Sequence, residues 1–155
     1  ISDFFQRHLN AASMMVDGMA ESLGSAAVLS SEAVLNEGKL FSVGLGADCA
    51  SATALSGLLH HGILRERPGL PVVELGEHRI ESVVAGVNWA SQQIQALGQP
   101  VDVAIIFGAA LNEQDAQQLA HAADQRQVRL IWLGRRGPGI SIGVTDEPLE
   151  TRVTL

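Results

Sequence analysis

The chain has 155 residues with 17 acidic and 10 basic side chains, a net charge of −7, 46% apolar residues and 17% charged ones. That balance belongs to a folded chain, and the length fits one domain whose core buries roughly 70% of the unfolded surface. No run approaches the ~20 apolar residues of a membrane span, and an acidic chain with 4% aromatics and no Tyr lacks the means to neutralise phosphates or stack on bases, which excludes direct nucleic-acid binding.

Residues 3–23 place Phe5, Leu9, Ala12, Met15, Met19 and Leu23 at three- and four-residue spacing. This predicts an amphipathic helix with Ser2 or Asp3 as its N-cap and Gly24 as its stop. Ser25 then caps a second helix over Ala26, Leu29, Ala33 and Val34 that ends near Gly38. From Lys39 the period changes. Strands are predicted at 39–43, 71–75, 101–107, 128–133 and 140–144, and helices at 49–61, 81–97 and 113–127. The run Val101 to Phe107 is apolar throughout, as suits a strand buried on both faces. Alternating strands and helices predict an α/β fold, a three-layer αβα sandwich around a five-stranded parallel sheet with right-handed crossovers. Ligands on such sheets bind beyond the carboxyl ends of the strands, where strand order reverses. That selects the loops at 44–51, 76–80, 108–113 and 134–139.

The first loop, Gly44-Leu45-Gly46-Ala47-Asp48-Cys49-Ala50, lies between a strand and a helix and invites comparison with the dinucleotide fingerprint G-x-G-x-x-[GA]. Glu74 would then be the acidic ribose ligand, but it lies 28 residues past Gly46 rather than about 20. Two helices precede the first strand, and Asp48 brings a negative charge to the phosphate position. The turn therefore reads as a tight strand-to-helix connection using glycine's backbone freedom, with Asp48 and Ser51 placed to cap the helix. Cys49, the single cysteine, has no disulfide partner, which fits a reducing cytoplasm, and is expected to be a small packed residue. His60 and His61 are adjacent and point about 100° apart on a helix, so they cannot chelate one ion. His8 and His121 have no paired ligand nearby, and His78 is read as a solvated loop residue. No metal or other cofactor is expected. Arg135-Arg136-Gly137-Pro138-Gly139 forms a cationic loop that could pair with an acidic partner or help hold an anion.

Four blocks carry a family resemblance: Leu35-Asn36-Glu37-Gly38-Lys39-Leu40, Gly44-x-Gly46, Arg67-Pro68-Gly69-Leu70-Pro71 and Ala96-Leu97-Gly98-Gln99-Pro100-x-Asp102-Val103. In this order and at this spacing the chain resembles the sugar isomerase (SIS) domain family. It is most similar to the branch that contains phosphoheptose isomerases and the replication-initiator-associating proteins of the DiaA type. The resemblance implies a five-stranded flavodoxin-like sheet and a homo-oligomer, dimer or tetramer, in which the helices of residues 1–38 pack between subunits. Residues 39–155 would form the core of a single domain. Ile1-Ser2-Asp3-Phe4 has no signal-peptide n-region, so the protein is expected to be cytoplasmic. The chain opens on Ile and stops at Thr154-Leu155 in mid-element, so further residues, a C-terminal helix among them, are expected beyond it.

The resemblance also implies where a sugar phosphate would sit. Relatives carry a Gly-Asn-Gly-Gly-Ser-Ala-type loop after the first strand; here it reads Gly44-Leu45-Gly46-Ala47-Asp48-Cys49, with Leu45 for Asn and Asp48 for Ser. Their Ser-Thr-Ser-Gly-Asn-Ser loop after the third strand is here Gly108-Ala109-Ala110-Leu111-Asn112-Glu113, with every hydroxyl gone and a carboxylate added. The glutamate that serves the isomerases as acid/base aligns with Leu58, and a metal-ligand histidine of zinc-containing relatives aligns with Ala54. A second catalytic histidine would fall beyond Leu155. An aliphatic side chain transfers no proton, so no catalytic residue is assigned, and sugar-phosphate binding is expected to be weak or absent. The favoured expectation is a non-catalytic oligomeric scaffold whose partner is the replication initiator DnaA. Two others stand beside it. One is a regulatory domain whose remodelled crevice takes a neutral polyol, a cation or a phosphosugar. The other is an isomerase in which Glu74 replaces the missing acid/base.

Overall fold

In the computed structural model, which describes residues 2–62, 67–76 and 83–143, strand β1 (Leu40–Gly44) is buried at every position. The reason is its place. β1 pairs in parallel with β2 (Val72–Leu75) on one side and with β3 (Val103–Phe107) on the other. β3 continues to β4 (Arg129–Leu133) and β4 to β5 (Ile140–Ile142), all parallel, in the order β2-β1-β3-β4-β5. Side chains alternate between the two faces of each strand. Phe41, Val43, Ala104, Ile106, Leu130 and Trp132 enter one core; Leu40, Val72, Val103, Ile105, Ile131 and Ile142 enter the other.

The first core is covered by α3 (Val83–Leu97) and α4 (Glu113–Gln125), through Val87, Ala90, Ile94, Ala116 and Leu119. The second is covered by α2 (Cys49–His61), through Leu55 and Leu59, and by α1 (Ser2–Leu35), through Met19, Ala26, Leu29 and Ala33. This is the three-layer arrangement with a five-stranded parallel sheet that the alternation of elements predicts. Observed strand and helix ends lie within about two residues of the predicted ones, the usual uncertainty of such boundaries. The beginning predicted for α3, at residue 81, lies outside the described residues. Among those residues no helix is long and apolar enough to cross a membrane.

The two predicted N-terminal helices are one. α1 runs unbroken through Gly24 for 34 residues. Gly24 is not among the residues with positive φ, so it stays in the helical region and gives no stop. Met19 and Ala26, on either side of it, pack on the same sheet face, and that shared anchorage outweighs glycine's cost of about 1 kcal/mol relative to alanine. The helix is terminated instead by Glu37, at φ 63°, with the Gly38 amide donating to the Ala33 carbonyl at 2.8 Å. Gly38 is required there. A Cβ on it would lie 2.9 Å from both the Ala33 and the Val101 carbonyl oxygens.

Candidate functional site

From β1 the chain crosses by α2 to β2 on one side; from β2 it crosses by α3 back over β1 to β3. Strand order therefore reverses between β1 and β3, and the loops leaving their carboxyl ends flank a crevice, the usual ligand position of this sheet type. These are two of the four loops that the sequence selects, 44–51 and 108–113; of the others, residues 77–80 lie outside the described residues.

The β1 loop turns tightly. A Cβ on Gly44 would stand 2.3 Å from the Asp48 carbonyl oxygen, and Gly46 has φ +59°, so both positions demand glycine. Leu45 is extended, with φ −123° and ψ 146°, and its side chain points down into the core, 4% exposed. Leu111, from the opposite loop, is buried in the same core. These two leucines do not line the crevice as the sequence suggests; each anchors its loop from beneath. Gly108 is buried under Arg135, while Gly46, Ala47, Ala109 and Ala110 are exposed at the mouth and Asp48 is half-buried.

Asp48 does not cap α2, contrary to expectation: its side chain makes no cap hydrogen bond there. Its Oδ2 instead accepts the backbone N–H of Ala110 at 2.9 Å, joining the two loops across the crevice. Asn112 takes the capping role on α4, its Oδ1 accepting from the Asp115 amide at 2.9 Å. The Glu113 carboxylate pairs with the guanidinium of Arg135, whose Nη1 also donates to the Leu111 carbonyl at 2.8 Å. Arg135 is therefore committed to holding the β3 loop. Beside it, Gly137 lies against the Trp132 ring, where a Cβ would come within 2.5 Å of ring atoms, and the indole N–H donates to the Pro138 carbonyl at 2.9 Å. A hollow of about 190 Å³ between α4 and this segment is lined by Ala116, Ala120, Trp132 and Pro138 among others.

On α2, Ala54 and Leu58 lie one turn apart on the solvent-facing side, Leu58 45% exposed. Neither can transfer a proton or bind a metal. Cys49 is buried, and its thiol is pushed above the ordinary range first by burial and then by the Glu74 charge, so it is held as a thiol rather than a nucleophilic thiolate. Glu74 accepts from the Thr53 hydroxyl at 2.5 Å, which ties it to α2. The His60 and His61 rings are inclined at 71° with centroids 6.5 Å apart. His121 hydrogen-bonds Gln125 at 2.9 Å. Among the described residues no three His, Cys, Asp or Glu side chains form a metal-binding group. His78 lies outside the described residues, as does the side chain of His8.

The sequence located both loops but missed the Asp48–Ala110 bridge. A loop aspartate just before a helix signals a cap, and nothing in the sequence couples it to an amide 62 positions away.

No protein-family model matches the chain. It is 28% identical over 160 residues to the phosphoheptose isomerase of Methylococcus capsulatus, covering 99% of this chain and 82% of that one. It is 27% identical over 159 residues to the phosphoheptose isomerase of Alkalilimnicola ehrlichii, covering 99% and 81%. In structure, the phosphoheptose isomerase of Neisseria gonorrhoeae matches 97% of this chain and 87% of its own with a TM-score of 0.77, at 19% identity. The α/β fold with its five parallel strands is thus the fold of that enzyme, and the likeness in sequence spans nearly the whole chain.

Proposed function

We propose that this phosphoheptose isomerase-like protein is a sugar-binding regulatory module whose crevice, between the β1 and β3 loops, takes an uncharged sugar or polyol and does not isomerise it. The observation that carries this reading is the Asp48 carboxylate held at the mouth of the crevice by the Ala110 amide. Likeness along the full chain to enzymes named for phosphoheptose isomerisation supports the sugar class. Carboxylates are good acceptors for sugar hydroxyls, whereas a phosphate dianion beside one is repelled. At 5 Å each pair of unit charges costs about 1–3 kcal/mol between water-like and protein-surface dielectrics. Leu58, where the resemblance implies the acid/base, supports a binding rather than a catalytic role.

Titration calorimetry with sedoheptulose and with its 7-phosphate tests this. We expect saturable binding of the neutral sugar and at least tenfold weaker binding of the phosphate. Tighter binding of the phosphate ester would overturn the reading.

The full-length similarity also favours a second reading, an active isomerase with a relocated acid/base. Aldose–ketose conversion at high protein concentration would establish it. The assembly we propose is a homo-oligomer, dimer or tetramer, built through α1. A protein partner such as the initiator DnaA rests on the resemblance to the initiator-associating branch, and a pull-down with the host's initiator that recovers nothing removes that partner.

A further inference from the structure

We infer that Asp48 is a specificity-determining residue, a carboxylate of the chain's own that occupies an oxyanion position in the crevice and keeps anionic ligands out. The inference rests on the reading of the crevice proposed above and carries the same bridge further, to the residue that decides which ligands enter. The Ala110 N–H lies between the end of β3 and the start of α4, outside both elements. It faces the point where strand order reverses, a position at which parallel sheets present backbone amides to ligands. That amide already holds an oxyanion, and the oxyanion is Asp48 Oδ2 at 2.9 Å.

Asp48 reaches this place by giving up the contact its sequence position offers. It precedes α2 directly, yet makes no side-chain bond to that helix's first turn, where a carboxylate ordinarily serves as a cap. Further along the β3 loop the contacts are already made: Asn112 caps α4, and Arg135, from beyond β4, holds both the Leu111 carbonyl and Glu113. An incoming phosphate monoester must therefore expel a charge of its own sign before it can use the Ala110 amide. A neutral hydroxyl can donate to Asp48 and leave the bridge in place. Removing the carboxylate should release the Ala110 amide, and the crevice should then accept an anion.

The test is a titration of the full chain with inorganic phosphate at constant ionic strength, followed by the amide chemical shift of Ala110. Wild-type protein should show no saturable shift through the millimolar range. Asp48→Ala should bind phosphate at least tenfold more tightly, with the Ala110 amide moving along the binding curve. Asp48→Asn retains an oxygen that can accept from Ala110 without the charge, and should fall between the two. Asp124→Ala, on the exposed side of α4, controls for loss of a negative charge elsewhere and should behave as wild type. The inference is overturned if folded Asp48→Ala binds phosphate no better than wild type, or if Asp124→Ala gains as much. If Asp48→Ala does not fold, Asp48→Asn decides alone: a gain with the Ala110 amide shifting supports the inference, and no gain overturns it. Failure of the wild-type protein to bind neutral sugar, with the Asp48→Ala gain intact, would sink the sugar reading and leave Asp48 in its role.

Discussion

At the scale of single residues, the strongest polar construction lies at the amino edge of the sheet, away from the crevice. The fully buried carboxylate of Asp102 accepts from the backbone amides of Lys39 and Gln99 at 2.9 and 2.8 Å and from the Lys39 ammonium at 2.6 Å. It fastens the turn before β3 to the residue just before β1. Truncation to Ala would take the acceptor from two part-buried amides and leave an ammonium without its counter-charge. We expect Asp102→Ala to cost about 3–5 kcal/mol, read as a lowered denaturant midpoint with little change in slope; a loss below about 1 kcal/mol would refute the assignment. The Gly98-Gln99-Pro100-x-Asp102 block is legible because it is part of the resemblance, not because it is local: one Asp102 bond falls on Gln99, three residues away, and two on Lys39, 63 positions away. Asp48 was not legible in the same way. Its identity was plain and its position known, but its partner is set by tertiary approach of two loops, and the local code for a cap pointed elsewhere.

At the scale of elements, strands could be read well because each β-branched or aromatic run had to serve two cores at once, and a misplaced boundary would have put a polar group into one of them. Helix α1 was harder. Glycine ends a helix only where the chain must take positive φ, and whether it must is decided by what lies beyond, here a sheet face that both halves of the helix share. Gly24 is consequently a weak point without a purpose in the described packing, since nothing stands within 4 Å of the Cβ it lacks. Gly24→Ala should stabilise the protein by about 1 kcal/mol, observed as a rise of a few degrees in Tm. A fall in Tm would mean that the backbone at Gly24 leaves the helical region or that the position meets a neighbouring subunit.

At the scale of the whole molecule, α1 is out of proportion to what it covers. Its 34 residues span about 51 Å, against about 17 Å for a five-residue strand. Met19 reaches the end of β5, where a Cβ on Gly143 would lie 3.7 Å from its sulfur, so residues 2–18 run on past the carboxyl edge of the sheet. Leu9 is 63% exposed there, and Leu23, Val28 and Leu35 are exposed further along. These exposed apolar side chains motivate the proposed oligomer. Light scattering at micromolar concentration should give at least twice the chain mass, and Leu9→Glu with Val28→Glu should shift the equilibrium toward monomer by tenfold or more; a wild-type monomer at 100 μM would end that proposal. The meeting of Met19 with Gly143 also sets an order of events during synthesis. These residues are about 120 positions apart, and at roughly 5–20 residues per second the ribosome needs several seconds or more to deliver β5 after α1 has emerged. Through that interval α1 has no β5 to lie on, so that part of its sheet-facing side stays open to chaperones, to premature self-association between neighbouring ribosomes, or to both.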